Sequence, residues 1–232
     1  MARYLVGPYN NSWNFMDALE KAQDGDTIEF ENGYVFQWPT DEVIVINKSL
    51  HFVGYVVPNP NGNGRMFNNT IEASFRFVEG AQVTFEDLWF KVGGNYTALT
   101  LWNESAITCK QVYFEITTPT NSEFFIYMDT HSKLTLEGVG MKVPEKHQSA
   151  IGMSASELSI RNSTIFSKID LSEGSKLTLE NVHIEKFGNN TIHAKDSEVI
   201  AKNSTITGGD LEKDFPPVWL RNVIWESENC KI

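Results

Sequence analysis

The stretch SKLTLENVHIEKF, Ser175–Phe187, decides the fold, because the chain writes it several times. Upstream stands SKLTLEGVGMKV, Ser132–Val143. Between the two lies SELSIRNSTIFS, Ser156–Ser167, and downstream comes SEVIAKNSTITG, Ser197–Gly208. Aligned on the serine, the copies form columns. Strict alternation marks a strand with one buried face. The inward pairs are Val83 and Phe85, Ile107 and Cys109, Leu134 and Leu136, Leu158 and Ile160, Leu177 and Leu179, Val199 and Ala201. A kink position follows each pair: Asp87, Gln111, Gly138, Asn162, Asn181, Asn203. Asp, Asn and Gly tolerate the left-handed backbone that a tight bend between strands needs. A second short strand then points Phe90, Phe114, Met141, Ile165, Ile184 and Ile206 inward.

A third strand precedes each serine. Its inward pairs are Phe75 and Phe77, Leu99 and Leu101, Ile126 and Met128, Ile151 and Met153, Ile169 and Leu171, Ile192 and Ala194. Three short strands per repeat, with no helical spacing inside it, predict an all-β fold, a single-stranded parallel β-helix. A leucine-rich repeat would need a leucine-heavy consensus and a helical segment per repeat, and neither is present. Each coil stacks on the next, so like residues fall over like residues and the same dozen recur. Cys109 is then a core residue of its coil.

The ends differ. NSWNFMDALEKAQDGDTIEF predicts an N-terminal capping helix over residues 12–24, with Ser12 or Asn14 as its cap, Asp17 in its first turn and Gly25 after it. Coils are expected over 26–226 in one domain spanning 1–232, with a Pro-, Gly- and Asn-rich loop inserted at 58–69. The segment FPPVWLRNVIWESENCKI reads as a last coil with Asn222 at the kink position. It has no capping helix, so the expectation is either a short polar final strand or further domains C-terminal to Ile232.

The formal charge is −11. Such a surface repels phosphate backbones and anionic lipid, which excludes nucleic acid as an expected partner. No apolar run is long enough to span a membrane. The N-terminus does not read as a secretory signal, and two cysteines make no disulfide framework, so a cytoplasmic location is expected over secretion. The five histidines share no metal-ligand spacing. No metal site and no cofactor are expected.

ALEKAQDGDTIEFENGYVF followed by VINKSLHFVGY resembles the N-terminal helix and first coils of the pectin-lyase-like right-handed β-helix superfamily, and the repeat pattern carries the resemblance over about residues 13 to 226. The resemblance implies a right-handed coil and a groove on the outer face of the strand before each serine turn. It spans lyases, glycosidases, esterases, tailspikes, adhesins and modules without activity, so it implies no single function. On the groove face the central outward residues are Arg76, Thr100, Tyr127, Gly152, Asp170 and His193. Two positions on come Val78, Trp102, Asp129, Ser154, Ser172 and Lys195.

Asp129 and Asp170 are the acidic candidates of that face. They stand two coils apart, at about 11 to 12 Å by strand spacing. Glycosidase carboxylate pairs use roughly 5 to 9.5 Å, and calcium wants six to eight oxygens. A triad of His193, Asp170 and Ser172 lacks a nucleophile elbow and reads as a solvated polar face. The superfamily's polygalacturonase and esterase motifs are absent. The serine turns are tiny, and the turns into the groove strand, such as TTPTNSE and PEKHQS, are modest, so a shallow cleft is expected.

Aromatic clusters point to binding. Trp102 and Tyr127 project from adjacent groove coils beside Asp129, with Arg76 close by, and Trp89 and Tyr113 share an outward column on another face. Flat rings flanked by polar groups stack sugars or anchor proteins. The alternative is that loops cover them or that they stabilise the sheet as cross-strand pairs. Trp13, Trp38, Trp219 and Trp225 lie near the ends, where cap packing is expected. The reading expects a non-catalytic binding or scaffold module with a protein or glycan partner. β-Helix modules occur attached to AAA-type ATPase domains in bacteria, and the N-terminal domain of a larger, ATPase-linked bacterial protein is one form of that expectation. The alternatives are a carbohydrate-binding or carbohydrate-cleaving pectin-lyase-like protein, and a structural part of a fibre or tailspike.

Overall fold

The computed structural model describes residues 1–39, 42–58, 65–92, 97–117, 124–143, 151–187, 190–209 and 216–232. Both quoted groove turns lie largely or wholly outside the described residues, as does His147.

The fold is a parallel β-helix. Strands starting at each serine stack in parallel: Leu50–Val53, Gln82–Glu86, Ala106–Lys110, Lys133–Glu137, Glu157–Arg161 and Lys176–Glu180. The groove strands form a second stack: Val43–Ile46, Ser74–Phe77, Leu99–Leu101, Ile126–Met128, Ile151–Ser154 and Ile169–Ser172. The two stacks join through Ile192–Lys202, one long strand that turns the corner between them. A third sheet stacks the short strands that follow the kinks. There Phe90, Phe114, Met141, Ile165, Ile184 and Ile206 lie in one column, all buried, as the repeat predicts.

Turn chemistry explains the alignment serine. Ser105, Ser132, Ser156, Ser175 and Ser197 are buried. Each hydroxyl donates to a carbonyl two or three residues back, as Ser132 does to Asp129 (2.6 Å) and Ser175 to Ser172 (2.6 Å). A small hydroxyl closes the corner and satisfies itself there. The four-residue corners hold two left-handed residues, such as Thr130 (φ 56°) and His131 (φ 60°). The three-residue corners hold one, Ala155 or Asp196. The kink residues Asp87, Gln111, Gly138, Asn162, Asn181 and Asn203 all have φ between 49° and 64°. A β-branched residue there meets its own carbonyl. Asn181→Val is expected to lower stability by about 1–2 kcal/mol, and Asn181→Gly to leave it nearly unchanged; urea melts of the two variants read the difference.

The core tapers along the axis. One inward column runs Phe52, Phe85, Cys109, Leu136, Ile160, Leu179, Ala201. Phenylalanines crowd the first coils: Phe75 lies within 6.4 Å of the rings of Phe15, Phe52, Phe77, Phe85 and Phe90. Cys109 is fully buried, and its burial pushes the thiol far above the ordinary range, so it is a packing residue.

The ends depart from expectation. The helix is Phe15–Lys21, shorter than 12–24, and Asn14 rather than Ser12 caps it, accepting from the Met16 N–H at 2.9 Å. Its Phe15, Ala18 and Leu19 are buried against the first coils. Before it stands a strand the pattern did not reveal, Arg3–Val6, which pairs in parallel with Asp26–Phe30. Four residues carry too little alternation to be read alone. The insertion at 58–69 is not all loop: Arg65–Phe67 returns antiparallel to Val56–Pro58. At the far end one strand, Val218–Glu228, runs along the whole of Ile192–Lys202. Asn222 is not its kink. Asn222 faces Asp196 at the serine corner, where its amide donates to the Asp196 carboxylate (2.7 Å). Asn229 stacks on Asn203 and turns the kink. Two left-handed asparagines seven positions apart made the wrong one fit.

Candidate functional site

The groove column is observed as the alternation places it: Val45, Arg76, Thr100, Tyr127, Gly152, Asp170, His193 and Trp219 lie on successive rungs. Rungs stand about 4.8 Å apart, so Arg76 and Trp219, six rungs apart, are about 29 Å from each other.

The front of the column holds Arg76 and Trp102. The guanidinium of Arg76 lies 4.6 Å from the Trp102 ring centroid, a cation–π pair that occupies one face of the indole. Tyr127 stacks with Phe124 (5.8 Å, 25° between planes). Phe124 in turn lies across Gly152, where a Cβ would come within 2.4 Å of its ring. Glycine at this rung lets the second ring lie flat on the sheet. Asp129 sits in the serine corner, its carboxylate accepting from the Thr130 N–H (2.7 Å).

Behind this aromatic step opens a cavity of about 440 Å³, lined by Phe124, Tyr127, Met153, Asp170, His193 and the two lysines Lys168 and Lys195, among others. Its volume suits a small molecule or a section of a chain. Asp170 is one of the charged groups that line it. The Asp170 carboxylate takes the Lys168 ammonium at 2.8 Å and His193 Nδ1 at 2.9 Å. Lys168 belongs to a column that is elsewhere buried, at Phe125 and Thr191. A cation so placed needs a partner, and Asp170 supplies it. The Trp219 ring lies 4.3 Å from the His193 ring and closes the row.

The predicted residues are thus divided. Arg76, Trp102, Tyr127 and Asp129 share the groove face. Trp89 and Tyr113 pair on neighbouring strands of the third sheet (6.2 Å, edge to face), and Phe67 of the insertion stacks on Tyr113 at 6.4 Å. Burial raises the Tyr113 hydroxyl pKa, the Glu115 carboxylate adding to it. The pair meets across neighbouring strands, with Phe67 beside it. Trp219, expected in end packing, instead faces outward in the groove, because Val218–Glu228 continues the groove rung by rung. Phe124 and Lys168 were missed. Both precede the alternating segment, and Lys168 could have been found by extending the outward register two residues upstream of Asp170. Ser172 does not complete a triad with His193; its hydroxyl donates to the Met153 carbonyl at 3.3 Å.

No protein-family model matches the chain, and no curated protein is similar to it in sequence. Among solved structures it is similar to pectate lyase Pel9A, at 12% identity and a TM-score of 0.47, over 100% of this chain and 78% of that one. It is also similar to an alginate lyase from Paenibacillus sp. str. FPU-7, at 10% identity and a TM-score of 0.35, over 100% of this chain and 99% of that one. Similarity this distant assigns neither an activity nor a substrate. What the strand pairing shows is the parallel β-helix itself. No helix among the described residues is long and apolar enough to cross a membrane.

Proposed function

We propose that the protein is a non-catalytic binding module whose groove face holds an extended glycan. One observation carries this reading. Aromatic rings flank hydrogen-bonding groups on one face: Tyr127, Gly152, Asp170, His193 and Trp219 follow one another in a single column, and Trp102 lies beside its front end against Arg76. A sugar chain offers the complementary surface, flat apolar faces between rims of hydroxyls. Asp170 acts as a fixed acceptor and orienter. The Lys168 ammonium and the His193 ring hold it in place, and in that arrangement it serves recognition better than proton transfer.

Titration calorimetry with a panel of neutral and acidic oligosaccharides tests the reading. Tyr127→Ala is expected to weaken the best ligand about tenfold, about 1.4 kcal/mol, and Trp102→Ala together with Tyr127→Ala to abolish binding. Affinity unchanged in the double variant, or turnover of the ligand by the protein, overturns the reading.

A further inference from the structure

Three of the described histidines bond to a carboxylate, and one of them does so differently. His51 meets Glu86 through Nε2 at 3.1 Å, and His183 meets Glu185 through Nε2 at 3.3 Å. His193 meets Asp170 through Nδ1, at 2.9 Å. A carboxylate paired with an ammonium can only accept, so Nδ1 of His193 carries a proton. In the neutral ring Nε2 is then the bare acceptor. Among the described residues Nε2 has no hydrogen-bond partner. The side chain is 36% exposed where it lines the cavity.

The ring is fixed on two sides. The Trp219 ring lies 4.3 Å away, with 33° between the planes. Turning the imidazole over in its own plane would set a carbon against Asp170 and lose the bond. Asp170 is itself fixed, because its Oδ1 also takes the Lys168 ammonium at 2.8 Å and the two side chains are only 19% and 14% exposed. The charged groups around His193 are Asp170 and Lys168 from the rung before, Lys195 on its own strand, and Arg221 beside Lys195 on the strand after. Two further carboxylates stand at the serine corners and are taken there. Asp196 meets Lys195 at 3.8 Å, and Glu173 accepts from the Ser154 hydroxyl at 2.6 Å.

We infer that His193 makes the groove's choice of sugar depend on pH, an inference that rests on reading this face as a glycan site. Neutral, the ring offers Nε2 as an acceptor to a sugar hydroxyl. Histidine changes charge between about pH 5 and 8. Protonated, its Nε2–H becomes a donor, and the ring adds a positive charge beside Lys195 and Arg221. Lys168 already matches the Asp170 carboxylate, so the added charge is left to meet a ligand. This end of the groove then takes the carboxylate of an acidic sugar by a charge-assisted bond. Neutral chains are favoured at the upper end of the range and acidic chains at the lower.

Two measurements test this. Nitrogen-15 NMR of the histidine rings reads the tautomer without any ligand, and His193→Gln identifies the signal by removing it. At about pH 8 the His193 proton is expected on Nδ1. Calorimetry then compares cellopentaose with its counterpart oxidised to the uronic acid at every C6. From about pH 8 to about pH 5 the affinity ratio of acidic to neutral chain is expected to rise about tenfold. His193→Gln keeps a donor for Asp170 but cannot titrate, so its ratio is expected to stay flat. A proton on Nε2 at the upper pH overturns the inference, and so does a ratio that His193→Gln leaves pH-dependent. A flat ratio in the parent protein, with binding that Tyr127→Ala still weakens, overturns this inference and leaves the groove reading standing. Binding of neither sugar overturns both.

Discussion

Phe75→Ala lowers stability by about 3–5 kcal/mol, the cost of an aromatic deletion in a close-packed core. Phe75 is fully buried, and five other phenylalanine rings surround it. Those rings come from the helix, from both main sheets and from the third sheet. The hole left by alanine cannot be closed by moving one of them, because each is held in its own ladder. The matching outer-face change, Thr135→Ala, removes no core contact and stays within about 0.5 kcal/mol. Guanidinium melts of the two variants give the comparison. Hydrogen exchange adds the location: amides of the first coils lose protection first, since each coil is supported chiefly by its neighbours.

Gly208→Ala is the second large effect. Gly208 has φ +120° and lies opposite Lys186 on the neighbouring rung. A Cβ there would stand 2.0 Å from the Lys186 carbonyl oxygen and 2.7 Å from its carbon. Both atoms are backbone in a paired strand, so neither gives way cheaply. The backbone strain alone costs about 1–3 kcal/mol, and the overlap adds to it. Gly174→Ala is the control. Its φ is +77°, but nothing lies within 4 Å of the new carbon, so it bears only the left-handed cost of about 1–2 kcal/mol. A thermal melt in which Gly208→Ala unfolds no earlier than Gly174→Ala contradicts the close approach of these two rungs.

Most of the coil was legible in the sequence, for a physical reason. In a solenoid each residue meets the same neighbours on every turn, so selection for packing becomes repetition that can be aligned. The inward columns from Phe85 to Ala201 and the left-handed kinks from Asp87 to Asn203 follow from that. Where the repeat stops, legibility stops too. Arg3–Val6 has its partner more than twenty residues ahead and no repeat to betray it. Asn222 and Asn229 occupy different corners with the same chemistry, and only the register to Asp196 and Asn203 tells them apart.

The candidate site was half legible. Alternation placed Tyr127, Asp170 and His193 in one column, because outward direction follows from strand period alone. It could not say what they touch. The bond from Asp170 to Lys168 depends on a lysine in a column of buried residues. The Tyr127 ring finds Phe124 because Gly152, one rung away, leaves room for it. For the Trp89–Tyr113 pair, alternation gives a shared outward column but not its neighbours, and Phe67 of the insertion lies against it.

The most direct test of the stacked coil is a distance staircase. Cys230→Ser removes the half-buried thiol, and Cys109 is buried from labelling reagents. One spin label is placed at Ile200 and the other, in separate variants, at Thr178, Ser159, Thr135, Thr108 or Thr84, all outward residues of one column. Pulsed electron resonance is predicted to give distances that lengthen by about 4.8 Å per variant, to about 24 Å for Thr84. Distances that fail to rise in sequence order contradict the parallel stacking on which the groove depends.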